Sequence, residues 1–239
     1  MSRTARGLPA PEGTAAATVL GQTTPHLRPR RSHGTAPGHS PTSAPRRTRP
    51  AGGRKAEAQA RGVKLTALAF HVKALARALR DFPRFNASLT PDGKTLILKD
   101  YVHIGVAVDT AHGLMVPVIR DAQDRNVWQL ASEIRRLADA ARSGKAKSEE
   151  LSGSTLTLTS LGPLGGIATT PVINRPEVAI IGPNRVIERP VFRGKEIVAA
   201  KLMNLSISCD HRVVDGWDAA SYVQAVRKLL ENPALLFVD

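Results

Sequence analysis

The chain has 239 residues and a formal net charge of +14; 42% of it is hydrophobic but only 4% aromatic. That length suits one domain plus a tail, with aliphatic side chains and alanine filling the core. No apolar run approaches the roughly 18 residues needed to cross a bilayer, and a lone cysteine, Cys209, excludes an intrachain disulfide and any multi-cysteine metal site.

The charge is unevenly spread. Residues 1–61 hold eleven of the 34 Lys and Arg and two of the 20 acids, so the remainder is only mildly basic. This argues against a nucleic-acid-binding domain and suits an anionic small ligand such as a phosphorylated cofactor. Eight of the 17 prolines also fall before Arg61. Residues 1–54 show no sustained apolar period and could not bury enough surface to offset their ordering entropy. They read as a disordered Pro/Arg-rich tail. It is either a flexible linker or an Arg-rich, acid-poor targeting segment, although its prolines oppose the amphipathic helix such a signal uses.

Periodicity becomes clear at Val63. Leu65, Leu68, Val72, Leu75 and Leu79 recur at helical spacing between Thr66 and Pro83, with His71 and Lys73 expected on the surface. Residues 95–99 and 101–110 read as strands. Ala111-His112-Gly113 reads as a hairpin turn that leaves His112 in a loop, and 114–120 as the returning strand. A second helix spans 127–142 on a stripe of Val127, Leu130, Ile134 and Leu137, with Gly144 as its stop. Strands follow at 155–159 and 178–182, then a hairpin across 191–199 turning near Arg193-Gly194, then a strand over 202–209 that ends at His211. A last helix covers 217–231. Interspersed helices and strands predict an α/β sandwich with a mixed sheet.

His211 falls where a strand gives way to a helix, a junction at which rigid elements can present a loop side chain. Asp215-Gly216 suits the helix start, since Asp accepts from the first free N–H groups and Gly permits the turn. Cys209 lies two residues before His211 and so on the same strand face; it is either half of a Cys–His pair or a small buried hydrophobe. Ser152, Ser154 and residues 157–160 supply hydroxyls, and Gly162, Gly165 and Gly166 allow the following loop to approach a ligand closely. The sequence contains no P-loop or dinucleotide fingerprint, no Gly-x-Ser-x-Gly elbow and no histidine pair at zincin spacing. Neither a serine hydrolase nor a metal site is expected.

The motifs say more than their spacing. Phe82-Pro83-Arg84-Phe85-Asn86-Ala87-Ser88, His103-Ile104-Gly105-Val106-Ala107-Val108-Asp109 and Gly113-Leu114-Met115-Val116-Pro117-Val118 arrive in order. Thr157-Leu158-Thr159-Ser160-Leu161-Gly162, Pro176-Glu177-Val178-Ala179-Ile180, Asp210-His211-Arg212-Val213-Val214-Asp215-Gly216 and Leu230-Glu231-Asn232-Pro233 follow. This series closely resembles the catalytic domain of the 2-oxoacid dehydrogenase dihydrolipoamide acyltransferases, and it covers residues 55–239.

The resemblance implies a chloramphenicol-acetyltransferase-like fold, a homotrimer, and a larger hollow core assembled from trimers. It implies an active-site channel between neighbouring subunits and transfer of an acyl group between dihydrolipoamide and coenzyme A. His211 would be the general base that deprotonates the attacking thiol. The hydroxyl that stabilises the oxyanion would be that of Thr159 or Ser160, and Asp215 would hold the loop, paired in the family with an N-terminal arginine. Coenzyme A is expected as a substrate, and no Asp-Lys-Ala/Val lipoylation turn occurs, so the lipoyl group would come from another chain. Lipoyl domains and dehydrogenase subunits are the expected partners. Neither a membrane nor a nucleic acid is expected, and the location would be the cytoplasm or the mitochondrial matrix. The stretch Met203-Asn204-Leu205-Ser206 leans toward a branched-chain member.

The family's domain opens with a basic helix and a strand. Thr24-Pro25-His26 faintly matches the start of that strand, but Leu27-Arg28-Pro29-Arg30-Arg31 departs from what should follow. The expectation is a domain without that strand. The alternative to an active transferase is a structural core subunit impaired by a truncated or frame-shifted N-terminus.

Overall fold

The computed structural model describes residues 2–5, 16–23 and 63–237. Strands β1 (Ser2–Ala5) and β2 (Ala16–Thr23) come first, followed by helix α1 (Ala67–Ala78). Short strands β3 (Ala87–Leu89), β4 (Leu96–Lys99), β5 (Ile104–Val106), β6 (Val108–Thr110), β7 (Gly113–Met115) and β8 (Val118–Ile119) lead to α2 (Val127–Arg142). The chain ends with β9 (Leu156–Leu158), β10 (Ala179–Pro183), β11 (Ile187–Arg193), β12 (Glu196–Asp210) and α3 (Gly216–Glu231).

Seven of the described strands form one mixed sheet in the order β11-β12-β10-β9-β5-β8, with β2 also on β12. β9 runs parallel to β5 and β10, while β12 runs antiparallel to β10, β11 and β2. β12 organises the sheet: its first half pairs with β11 in a hairpin closed by Gly194, whose φ of 63° suits glycine, and its second half pairs with β10. Along this second half the backbone also pairs with β2, from Met203↔Thr23 to Asp210↔Ala16. Two stretches of the N-terminal segment expected to lie outside the core are thus described as strands. Residues 12–24 contain no proline, so every amide there can donate to a neighbouring strand. Thr24-Pro25-His26 and the rest of residues 1–54 lie outside the described residues.

The fold is a two-layer α/β sandwich. Ile104, Val106, Leu156, Leu158, Ala179, Ile181, Leu205, Ile207 and Cys209 point from the sheet into the hydrophobic core beneath the helices. α1 contacts both α2 and α3, and this central position explains its composition. Ala69, Ala74, Ala76 and Ala78 are buried together with Val72 and Leu75, because small side chains let two flanking helices approach. Phe85 stacks on Tyr222 of α3 at 4.5 Å between ring centroids. The central position also corrects one expectation. His71 is buried, because a helix covered on several sides buries more than one apolar stripe; its Nδ1 donates to the Ala67 carbonyl at 2.7 Å. Lys73 is half-buried and donates to the carbonyls of Gln123 and Arg125.

The opposite face of the sheet mixes polar with apolar side chains: Thr157, Ser206 and Ser208 are buried there along with Ile180. The segment between β9 and β10 crosses this face at Ser206, whose Oγ accepts the Thr169 N–H at 3.1 Å. No helix among the described residues is long and apolar enough to cross a membrane.

Candidate active site

The turn from β12 into α3 is built to hold one side chain free. The Asp210 amide donates to the Val178 carbonyl at 2.8 Å, and the Asp210 carbonyl accepts from Val213 and Val214 at 3.0 and 3.1 Å. The Asp210 carboxylate takes the Arg212 backbone N–H at 3.1 Å and its guanidinium at 2.6–3.2 Å. That guanidinium holds the Asp210 carboxyl below its ordinary value and is itself raised in return. Val213 and Val214 are buried as anchors. Asp215 caps α3, its Oδ1 accepting the Asp218 N–H at 2.8 Å. Between these committed neighbours stands His211, exposed and without a hydrogen bond or ion pair among the described residues.

Thr159 and Ser160 lie just past β9. Thr159 is half-buried, and its amide donates to the Ile181 carbonyl at 2.9 Å. Its hydroxyl has no partner among the described residues. The exposed Ser160 hydroxyl is used by the turn itself: it donates to the Pro183 carbonyl at 3.4 Å and accepts the Gly162 N–H at 3.3 Å.

The sheet register places these residues far apart. Gly182 pairs with Ser206 and Ala179 with Cys209, so Thr159, beside Ile181, sits four to five residues up the sheet from His211. At about 3.3 Å per residue this is roughly 15 Å. The two candidates are therefore not brought together within one chain.

Cys209 is fully buried in the core, and burial pushes its thiol up to about 12. It is the small hydrophobe of the two readings, with no Cys–His pair. His112 lies in the exposed β6–β7 turn, its N–H on Thr110 Oγ1. The Ser154 and Thr157 hydroxyls serve a group that sequence reasoning missed. Both donate to Glu177 Oε1, as does Asn174 Nδ2 at 3.1 Å. Burial pushes the Glu177 carboxyl up against the pull of these three bonds. The signal available in the sequence was an acid directly before an apolar strand. No group of three or more His, Cys, Asp or Glu is placed to hold a metal ion among the described residues.

The family described as 2-oxoacid dehydrogenases acyltransferase (catalytic domain) matches residues 48–238. The chain belongs to this family. It is 58% identical over 176 residues to the lipoamide acyltransferase component of the branched-chain alpha-keto acid dehydrogenase complex of Pseudomonas aeruginosa, covering 74% of this chain and 41% of that protein. It is 47% identical over 178 residues to the dihydrolipoyllysine-residue acetyltransferase component of the pyruvate dehydrogenase complex of the same organism, covering 74% and 32%. The chain thus spans less than half the length of these curated relatives.

Two solved acyltransferase structures each match with a TM-score of 0.80 and 36% identity, covering 94% of this chain and 85% of theirs. One is the dihydrolipoamide acetyltransferase of Azotobacter vinelandii, studied for the roles of a serine, a histidine 52 residues later and an asparagine four residues after that in its catalytic mechanism. The other is the cubic core of the pyruvate dehydrogenase multienzyme complex. Chloramphenicol acetyltransferase matches at a TM-score of 0.53 and 14% identity, covering 90% of this chain and 88% of its own, a likeness of fold alone.

Proposed function

We propose that this domain moves an acyl group between dihydrolipoamide and coenzyme A, with His211 as general base and the Thr159 hydroxyl as oxyanion donor. One observation carries the reading. An uncommitted hydroxyl at Thr159 precedes an uncommitted imidazole at His211 by the same 52 residues that separate the serine and histidine studied in the Azotobacter enzyme. Asp215 stands four residues after His211, where that enzyme has its asparagine. Thr159 is preferred to Ser160 because the Ser160 hydroxyl already donates within its own turn.

The neutral imidazole of His211 takes the proton of the attacking thiol. The thiolate adds to the thioester carbon, and the Thr159 O–H donates to the oxyanion that forms. Collapse expels the other thiolate, which receives the proton back from His211. Asp215 acts through the turn: it fixes the start of α3 and hence the base of the His211 loop. Because His211 and Thr159 lie roughly 15 Å apart along the sheet, the site forms between two copies, the His211 of one facing the Thr159 of its neighbour. A homotrimer and a larger core built from trimers follow, in line with the cubic core that the fold matches. The lipoyl group arrives on another chain, together with the dehydrogenase subunits. The higher identity to the branched-chain component than to the acetyl component supports a branched acyl group. Neither the comparisons nor the site supports an impaired core subunit.

Initial rates with acetyl-, succinyl- and isobutyryl-coenzyme A and free dihydrolipoamide test this, run on the parent and on His211→Ala. The expected order puts isobutyryl first. The variant should lose about 10²–10⁴-fold in rate while light scattering reports an unchanged assembly. A fully assembled, fully active H211A would refute the assignment.

A further inference from the structure

We propose that Gly182 and Thr169 are positioning residues for the Thr159 hydroxyl, an inference that rests on the reading of Thr159 as oxyanion donor. Gly182 lies on β10 beside Thr159. A Cβ built on Gly182 would stand 3.8 Å from the Thr159 methyl and 3.6 Å from the Thr159 carbonyl oxygen, both ordinary contacts. The same point is only 2.7 Å from Thr169 Oγ1, closer than real Cβ contacts come. Thr169 therefore occupies the space that any side chain at 182 would need, next to the methyl of Thr159.

The crossing segment that carries Thr169 is pinned on both sides. Thr169 N–H donates to Ser206 Oγ at 3.1 Å, and Ser206 is the register partner of Gly182. Asn204 Nδ2 donates to the Ile167 carbonyl at 2.8 Å, and Arg185 N–H to the Gly166 carbonyl at 3.2 Å. Asn184 Nδ2 holds Ser206 Oγ from the other direction at 2.9 Å. The seat is thus tied to both β10 and β12.

The consequence follows from the chemistry of threonine. Its methyl and hydroxyl share one carbon of fixed chirality, and β-branching makes χ1 stiff. With the methyl facing the space over Gly182 that Thr169 Oγ1 also borders, the hydroxyl is left one staggered position, so it needs no reorganisation when the oxyanion forms. A serine has no methyl to seat, and its hydroxyl would sample three wells. Thr169 Oγ1 is itself buried and makes no hydrogen bond among the described residues. Its place in the site is explained by the volume it fills, not by a bond it makes.

Size exchange across the seat tests this. Gly182→Ala displaces Thr169 and should lower kcat by about tenfold or more, with KM for the acyl-coenzyme A within about twofold. Thr169→Ala removes a buried hydroxyl that makes no hydrogen bond among the described residues, and relief of that unpaired group offsets part of the cost of the vacated volume, so its melting temperature should change little; by freeing the Thr159 rotamer it should lower kcat about threefold. The double variant G182A/T169A puts a methyl 3.8 Å from that of Thr159 and should recover to within about threefold of the parent. G182A with parental kcat, or a double variant no faster than G182A, overturns the proposal. Should G182A fail to assemble, parental kcat in T169A overturns it alone. Thr159→Val separates the two layers. Parental kcat there removes the oxyanion role itself, whereas a large loss in T159V without the size-exchange pattern removes only the seat.

Discussion

His71 shows how one atom's bonding sets a residue's titration. Its Nδ1 must carry a proton to donate to the Ala67 carbonyl, which leaves Nε2 as a buried acceptor without a partner among the described residues. Adding a second proton would bury a charge and an unsatisfied N–H, and burial accordingly lowers the pKa of this imidazole. His103, whose Nδ1 accepts the Asp121 N–H at 3.1 Å, is lowered chiefly by burial as well. In the unfolded chain histidine takes its proton near pH 6.5, while the folded groups take it only at lower pH. The unfolded state therefore binds more protons, and stability is lost as pH falls below about 6.5. Glu177, raised by burial, works the other way, because its contribution is lost as pH rises through its folded value. Comparison of parent and His71→Asn isolates the His71 part. The melting temperature should drop between about pH 6.5 and pH 5 in the parent and drop less in H71N; equal slopes would contradict this account. The sequence marked His211 as a candidate through its motif and gave no sign of the burial of His71. A histidine among alanines looks exposed until the helix is known to be central.

At the scale of elements, legibility followed the strength of the local signal. α2 begins and ends where its stripe and Gly144 say, because Asn126 and Gln129 form a reciprocal cap, with Gln129 N–H on Asn126 Oδ1 and Asn126 N–H on Gln129 Oε1, both at 2.9 Å. Asn126→Ala should cost about 1 kcal/mol of stability, read as a shift in the urea midpoint; an unchanged midpoint would mean that packing alone sets this helix. The strands were harder. Residues 101–110, expected as one strand, divide at Ala107, whose N–H turns to the Leu158 carbonyl while β6 leaves to pair with β7. The expected 114–120 strand breaks before Val118 at Pro117, which has no N–H to give. The return limb of the expected 191–199 hairpin and the expected 202–209 strand are joined in one 15-residue strand, β12, which continues through the weak strand formers Ala199, Ala200 and Lys201, while the first limb lies in β11. Pairing with β11 overrides local preference there. Glu177 and the Gly182–Thr169 contact were not legible, since both depend on a long crossing segment folding back over the sheet.

At the scale of the molecule, the parallel pairing of β9 with β10 and the antiparallel pairing of β10 with β12 carry Thr159 and His211 to opposite ends of the same sheet. A sequence reveals both residues but not this separation, which only register supplies. A cyclic assembly joins one end of a chain to the other end of its neighbour, so the pair proposed above, split in this way, would become whole at every interface. The most direct test mixes two dead chains. His211→Ala and Thr159→Val, each inactive alone, are unfolded together at equal amounts and refolded into mixed assemblies. If the site is shared, random mixing pairs an intact His211 with an intact Thr159 at about a quarter of interfaces, and about a quarter of parental activity returns. If the mixture is no more active than either variant alone, His211 and Thr159 act within one chain or not together, and the account is wrong.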